Sequence, residues 1–344
     1  MDADDRLSSL PDDVISHILS FLQTEYAVGT AVLSRRWKDL WTRVSYLDFD
    51  NSWISEGVPE DIVFMYRPPH EWVQYANDRV QRRVLEFHRF VDKVLSQHKN
   101  LDSVRRLRFR YHFHFLRGLP ELNWSPGFWF QSQWVFVPLI EELDIGIYGD
   151  IAVEATHCMS CLPQSFYTLK NLRIVKLEGV TLSAAAKGSV LLPSMKILQL
   201  CDVKIADCES FSSLISGCPV LETALLNCCY ILFWNELDVL VVSSPSLKNL
   251  EMNRMISFDD SLTYHIAIET PNLEELHLDS FAGLKFIGSS PLSCLNIAHV
   301  DVGQCPISYH ALDEVLNYVS NAKEVFLSGK PLVMTIPKVY FRPD

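Results

Sequence analysis

Glycine is scarce in this sequence, 13 of 344 residues, and it is dispersed. No glycine-rich loop is available to cradle a phosphate, and neither a GxSxG nor an HExxH pattern occurs. The sequence therefore offers no constellation for nucleotide, acyl-transfer or zinc-hydrolase chemistry, and neither catalysis by the chain itself nor a cofactor is expected. Long apolar runs are also missing, since no window approaches the ~20 residues needed to span a bilayer. The first residues, Met1 to Asp5, are acidic where a secretory leader would be basic and then apolar, so an intracellular protein, cytoplasmic or nuclear, is expected, with no membrane partner. Basic charge is in deficit: 30 Lys and Arg against 42 Asp and Glu leave −12 at pH 7. A dedicated nucleic-acid binder is excluded on that ground, because phosphate contacts need a surplus of Lys and Arg. Cysteine is absent before Cys158, and the nine that follow are odd in number and irregularly spaced to Cys305. That is not a disulfide framework, and reduced, mostly buried thiols are expected. Cys158 and Cys161, beside His157, make half of a zinc site with no second half, so no metal is expected.

What the sequence does have is hydrophobic pattern. At 48 % hydrophobic and 21 % charged, the chain has the composition of a folded protein with one large or two unequal domains. Its first 41 residues read as three short helices. Ser9, Pro11 and Asp12 signal a helix start, followed by Val14, Ile15, Ile18, Leu19, Phe21 and Leu22 as a broad apolar stripe. A second helix is predicted over Tyr26 to Leu33 and a third from Ser34 to Trp41. After a proline-bearing loop, Val80, Val84, Phe87, Val91, Val94 and Leu95 step by three and four along an amphipathic helix.

From Leu101 onward one template recurs, with apolar residues at relative positions 0, 3, 5 and 8. Leu172, Val175, Leu177 and Val180 fit it, as do Met195, Leu198, Leu200 and Val203, and Leu221, Ala224, Leu226 and Cys229. So do the sets beginning at Leu247 and Leu273, and Leu292, Leu295, Ile297 and Val300. Weaker copies start at Val104, Ile140 (ending on Tyr148) and Ala322. The position-3 markers are separated by 36, 32, 23, 26, 26, 26, 19 and 30 residues. Steps in the twenties around an alternating LxL are the signature of leucine-rich repeats, each contributing a strand to a parallel sheet on the concave side of a solenoid, with helices and loops behind. The usual Asn or Cys at position 8 is met only by Cys229, so the repeats are irregular. Ser308 to Val319 reads as a helix capped by Ser308.

The segment Leu10-Pro-Asp-Asp-Val-Ile-Ser-His-Ile-Leu-Ser-Phe-Leu22, followed by Ala31-Val-Leu-Ser-Arg-Arg-Trp-Lys-Asp-Leu-Trp41, resembles an F-box in the form carried by plant F-box proteins with leucine-rich repeats. Phe87-His-Arg-Phe-Val-Asp-Lys-Val-Leu95 is similar to the segment preceding the repeats in those proteins. The resemblance implies an α/β chain with a three-helix F-box at 1–45, a linker and capping helix at 46–100 and an irregular solenoid at 101–344. It implies further that the F-box docks on a Skp-type adaptor, and through it a cullin, while the repeats hold the protein to be ubiquitylated. Leu10, Pro11, Val14, Ile18, Leu19, Leu33, Trp37, Leu40 and Trp41 carry more apolar surface than three short helices can hide among themselves, which suits them to adaptor binding. On the repeats, Lys176, Gln199, Leu225, Glu251, His277 and Asn296 lie between two core positions and are the expected target-facing residues. A scaffold that ubiquitylates nothing and a small-molecule-dependent receptor remain alternatives. The chain stops at Asp344 soon after the last copy, which leaves a longer isoform open.

Three further features are read as structural. Ten basic residues between Arg79 and Arg110 face only Glu86, Asp92 and Asp102, but Arg106, Arg108 and Arg110 alternate with Leu107 and Phe109 as one polar strand face. A solvated face, or one for an acidic partner, is expected rather than a polyanion pocket. Trp124, Phe128, Trp129, Phe130, Trp134 and Phe136 are expected to pack a helix ahead of the next strand. His112 and His114 alternate on one strand with nothing to complete a metal site.

Overall fold

The computed structural model describes residues 7, 9–55, 70–113, 139–149, 162, 164–183, 190–232, 238–257, 264–279, 284–287, 292–302, 309–329 and 340–341. The chain divides into two compact units, Met1–Ser160 and Cys161–Asp344. The Trp124 to Phe136 cluster, His114, His157, Cys158 and Cys161 lie outside the described residues.

The first unit opens with helix α1 (Asp12–Leu19) and helix α2 (Thr24–Gly29), which runs on into a 3-10 turn at Thr30–Val32. The third predicted helix is a 3-10 run over Trp37–Arg43. In that tighter winding Trp37 and Leu40, three apart, eclipse on one edge and both point into the core. Strand β1 (Tyr46–Asp50) follows, then a long helix α3 (His70–Gln97), strand β2 (Arg106–Phe113) and strand β3 (Glu142–Gly149). β1, β2 and β3 are parallel neighbours, with Leu47 opposite Leu107 and Leu107 opposite Leu143. β1 carries the repeat spacing at Val44, Leu47 and Phe49, all buried, a copy not singled out in the sequence. Of the predicted apolar face of α3, Phe87, Val91, Val94 and Leu95 are buried and Val84 is half-buried, while the side chain of Val80 lies outside those described. The Phe87 ring lies tilted at 5.9 Å from Phe109 and 6.2 Å from Tyr111, so α3 covers the apolar face of β2.

The second unit is a run of repeats. Its strands are β4 (Ile174–Glu178), β5 (Thr181–Leu182), β6 (Ile197–Cys201), β7 (Lys204–Ile205), β8 (Thr223–Asn227), β9 (Tyr230–Ile231), β10 (Val239–Ser243), β11 (Asn249–Asn253) and β12 (Ile256–Ser257). They continue as β13 (Tyr264–Glu269), β14 (Glu275–Asp279), β15 (Leu284–Phe286), β16 (Ile297–Asp301), β17 (Glu324–Ser328) and β18 (Tyr340–Phe341). The main sheet runs β4, β6, β8, β11, β14, β16, β17, β18, all parallel. Its inner row, Val175, Leu198, Ala224, Leu250, Leu276 and Ala298, is buried, as period-2 alternation requires.

After each of β4, β6, β8 and β11 the chain turns through a residue of positive φ: Gly179 (67°), Asp202 (53°), Cys228 (51°) and Arg254 (48°). Each turn residue donates its N–H to the strand end of the next repeat, Gly179 to Cys201, Asp202 to Asn227, Cys228 to Asn253 and Arg254 to Asp279. The reversed chain then forms a second parallel sheet, ordered β12, β9, β7, β5. Behind the main sheet the described residues hold two helices, α4 (Cys208–Ser216) and α5 (Tyr309–Tyr318). α4 is capped by Asp207, whose carboxylate accepts from the Ser210 N–H at 2.7 Å. Elsewhere that side is a parallel sheet, β10, β13, β15, where the Val239-Leu-Val-Val242 run favours strand over helix.

The register corrects one repeat. Leu276 is opposite Ala298, not Leu295, and Ala298 is opposite Val325. The last two steps are therefore 22 and 27 residues rather than 19 and 30. Ala298 and Val300 are buried while Ile297 faces outward, so the set beginning at Leu292 was phased three residues early. Tyr148 likewise lies with Gly146 on the polar face of β3, not in the core. Of the six described cysteines Cys218 and Cys229 are buried, Cys201, Cys208 and Cys228 are partly exposed and Cys294 is exposed, so the described thiols are not mostly buried; Cys305, like Cys158 and Cys161, lies outside the described residues.

Candidate functional site

Helix α1 resolves its broad apolar stripe into two. Ile15 and Leu19, four apart, are buried. Val14, Ile18 and Phe21 lie along another side and are exposed, Phe21 at 74 %. Leu22, Tyr26 (65 %), Val32 (87 %) and Leu33 (64 %) continue this exposed set across α2 and the turn after it. Of the residues expected to bind an adaptor, Pro11, Val14, Ile18 and Leu33 are exposed and Leu10 partly so. Leu19, Trp37, Leu40 and Trp41 are buried and hold the helices together; as placed, they have no surface to offer. Phe21, Leu22, Tyr26 and Val32 were passed over as docking residues, although Phe21 and Leu22 stood in the stripe. Arg36 braces the exposed set: its guanidinium bonds the Leu10 carbonyl and pairs with Asp12 at 2.7 Å. Ser16, buried, donates to the Leu40 carbonyl at 3.3 Å.

In the first unit the basic strand face is neutralised within the sheet. Arg106 pairs with Glu142 at 3.1 Å, Arg108 with Asp48 at 3.1 Å, and Arg110 with Asp144 at 2.8 Å. The register sets Arg106 opposite Glu142 and Arg108 opposite Asp48, and Arg110 reaches diagonally past Gly146 to Asp144, so these three cross-strand contacts join opposite charges. His112 lies 3.8 Å from Asp50 and stacks on Tyr148 at 4.5 Å. Burial pushes the Asp48 carboxyl up, against the pull of the Arg108 charge and its hydrogen bonds. Gly146, opposite Arg110, leaves the space that the Arg110 guanidinium and the Tyr148 ring occupy. A cavity of about 190 Å³ opens among Phe49, Trp53, Phe87, Phe90 and the Asp48 and Asp50 carboxylates.

On the main sheet of the second unit, Lys176, Gln199, Leu225, Glu251 and His277 form one continuous cross-strand row on the face away from the core. The next member is His299, not Asn296, and the one after is Phe326. Asn296 precedes β16, in the row of Lys196, Glu222, Lys248 and Glu274, whose Lys196–Glu222 pair closes to 2.7 Å. The rings of His277, His299 and Phe326 stack at 4.3 and 4.7 Å. Burial, and then the neighbouring His277, hold the His299 pKa below its ordinary value. Among the described residues no helix is long and apolar enough to cross a membrane.

These two surfaces coincide with two family models. The F-box domain model matches residues 7–49, and the leucine-rich repeat model of FBD-associated F-box protein At5g56370 matches residues 139–306. Curated relatives from Arabidopsis thaliana include F-box/FBD/LRR-repeat protein At5g56420, 27 % identical over 94 % of this chain and 65 % of its own length. FBD-associated F-box protein At4g10400 is 29 % identical over 95 % of this chain and 75 % of its own, and F-box/LRR-repeat protein At2g42730 is 31 % identical over 79 % and 51 %. The chain thus spans between about half and three quarters of the length of these relatives. With helices at the F-box positions and a parallel repeat sheet behind them in sequence, the chain belongs to the plant-type F-box proteins with leucine-rich repeats.

Proposed function

We propose that this chain is a substrate-recognition subunit of a Skp–cullin–F-box ubiquitin ligase. The observation that carries the reading is the exposed apolar set of the first unit, Val14, Ile18, Phe21, Leu22, Tyr26, Val32 and Leu33, gathered within twenty residues. So many large apolar side chains left exposed close together in sequence favour a protein interface, since leaving them in water is unfavourable and a partner groove removes them. Val14, Ile18 and Leu33 from the expected docking set belong to it, with Phe21 and Val32 as its most exposed members, and Pro11 is exposed beside them in sequence. The repeats are the target-holding end, on the outer face of the main sheet, where side chains vary without disturbing the core. The chain then acts by proximity, raising the effective concentration of target at a ligase whose chemistry resides in other subunits.

The test is co-purification of the full chain with a Skp-type adaptor, alongside a Phe21→Ser, Val32→Ser double variant. Loss of two exposed anchors should weaken adaptor binding by about 30-fold or more while the melting temperature is unchanged. A folded intact chain that does not bind, or a variant that binds equally, removes the ligase reading. If the adaptor binds but a captured partner is never ubiquitylated in the reconstituted ligase, the scaffold reading replaces it.

A further inference from the structure

Of the six described thiols, three meet at one place in the repeats. Cys201 ends β6 on the face away from the core, and the register sets it opposite Asn227, the last residue of β8. Cys228 is the next residue, at positive φ in the turn toward β9. The Asn227 carboxamide touches both sulfurs: its Nδ2 donates to Cys201 Sγ at 3.8 Å, and its Oδ1 accepts from the Cys228 thiol at 3.4 Å. One repeat earlier the same strand-end and next-turn positions hold Glu178 and Asp202, and these also act on one another, since the Glu178 charge joins burial in pushing the Asp202 carboxyl up. A spacing of about 4.8 Å across the strands and a step of about 3.8 Å along the chain put the Cys201 and Cys228 Cα atoms about 6 Å apart, within the ~4.4–6.8 Å that a disulfide spans.

The surroundings set this pair apart from the other thiols. Cys201 and Cys228 are both partly exposed, and Asn227 is exposed, so its carboxamide is free to swing out from between the two sulfurs. Cys229, the third thiol of the group, is buried, with its Sγ 3.7 Å from the Leu200 and Asn227 carbonyls, and burial pushes its pKa up to about 12. Cys218 is likewise buried, donates to the Leu214 carbonyl at 2.9 Å and is pushed up to about 12. Cys294 is exposed, with the Ser293 hydroxyl 3.9 Å from its sulfur. Burial, and then the Glu178 charge, hold the Cys201 thiol above its ordinary value, which suits it to the second of two steps, attack on a sulfur already activated by oxidation.

We propose that Cys201 and Cys228 form a dithiol site that hydrogen peroxide oxidises to a reversible disulfide between neighbouring repeats. In the first step the Cys228 thiolate attacks one oxygen of the peroxide; the O–O bond breaks, hydroxide leaves and takes up the proton that Cys228 lost, and Cys228 becomes a sulfenic acid. In the second the Cys201 thiolate attacks that sulfur; the S–S bond forms, the S–O bond breaks, and hydroxide leaves as water with the proton that Cys201 gave up. Two thiols are oxidised to one disulfide and one peroxide is reduced to two waters. The link joins the end of β6 to the turn after β8, two residues beyond Gln199 and three beyond Leu225 of the outer row. It closes a loop of chain that contains α4, so it stabilises the folded state by restricting the unfolded one. The site stands on the placement of the thiols and is independent of the ligase reading.

The experiment treats the reduced full chain with hydrogen peroxide, blocks the remaining thiols with iodoacetamide, and maps the peptides by mass spectrometry beside a melting curve of the same sample. The intact chain should yield a Cys201–Cys228 link within one molecule, removed by dithiothreitol, and its melting temperature should rise by several degrees on oxidation. Cys201→Ser and, separately, Cys228→Ser should each abolish both the link and the rise, while Cys294→Ser should keep both. Dimedone, which traps sulfenic acids, should label Cys228 in the Cys201→Ser chain and neither cysteine in the intact chain, where the second thiol closes the bridge first. The proposal fails if peroxide leaves the intact chain with a sulfinic acid at Cys228 beside a free Cys201, if either cysteine is linked to any other, or if the Cys228→Ser chain shows the same rise in melting temperature. Dimedone on Cys201 in the Cys228→Ser chain, with none on Cys228 in the Cys201→Ser chain, overturns the order of the two steps. Should a serine variant lower the melting temperature of the reduced chain, the link mapped in the intact chain decides.

Discussion

At the scale of single residues, the consequential side chains are polar ones held inside the first unit. His88 is buried on α3, 3.2 Å from the Tyr111 hydroxyl and stacked at 5.8 Å on its ring. Burial lowers its pKa to about 4. An unfolded chain protonates this imidazole near pH 6.5, so between those values the unfolded state binds more protons and stability falls as pH falls. Above the unfolded value the group costs nothing; below about pH 4 the loss, about 3 kcal/mol at most, is complete. Melting temperatures followed from pH 7 to pH 4 should therefore drop less steeply for His88→Phe than for the intact chain, and identical slopes would refute the assignment. The Asp48–Arg108 contact makes a second case. With Arg108 replaced by alanine, Asp48 keeps its burial and loses its partner, at an expected cost of about 2 kcal/mol at pH 7 after allowance for the partial exposure of Arg108. Replacing both residues by leucine should cost less than the single change in urea denaturation. Helical spacing from Val84 and Val91 put His88 on the apolar stripe of α3, but the burial of Asp48 was not legible, because its alternation with Leu47 and Phe49 reads as the outer face of a strand and only the pairing with Arg108 covers it.

At the scale of elements, the repeated turn is the most regular feature, and one the LxL template did not reveal. Gly179, Asp202, Cys228 and Arg254 occupy the position before the last template residue, and all take positive φ. Only glycine does so without strain; a left-handed side chain costs roughly 1–2 kcal/mol. Arg254→Gly should accordingly raise stability by about 1 kcal/mol and the melting temperature by ~2–4 °C, and Gly179→Ala should lower both by similar amounts. A fall in melting temperature for Arg254→Gly would show that its side chain contributes more than the strain costs. From β4 to β14 the strands of the main sheet were readable from the template, Ala224 at position 3 included. They were misread where Ala298 did, because Leu292 and Leu295, both buried, supplied a false start three residues early. An odd slip exchanges the two faces of a strand, which is why Asn296 stood in for His299 and the ring stack went unseen. β1 was missed for a different reason: Val44, Leu47 and Phe49 lie beyond the first helices and before α3, isolated from the run of copies that made the others recognisable.

At the scale of the whole molecule, the repeats of the second unit are joined chiefly to their neighbours, so damage should stay local. Leu250→Ala, a cavity beneath β11, is expected to cost about 2–5 kcal/mol. Hydrogen exchange should then show lost protection in β8, β11 and β14, with β4 retaining its own; uniform loss across the unit would argue for a single cooperative block. What the sequence by itself determined was the division into an F-box-like start and a leucine-rich remainder, the helix that became α3 and most inner strand positions, because these rest on local periodicity that burial of an apolar face enforces. It also set the balance of charge. What only the tertiary structure decided was which members of one apolar stripe are core and which are surface. Ile15, Leu19, Trp37 and Trp41 close on one another, while Val14, Phe21 and Val32 do not. The same holds for charge: within the basic run from Arg79 to Arg110, Arg106, Arg108 and Arg110 are met by Glu142, Asp48 and Asp144 from other strands, and the carboxylates of β14 and β16 are brought face to face. Sign and spacing along a chain are local, but the neighbour across a strand is set by register, and register is fixed only when the repeats stack.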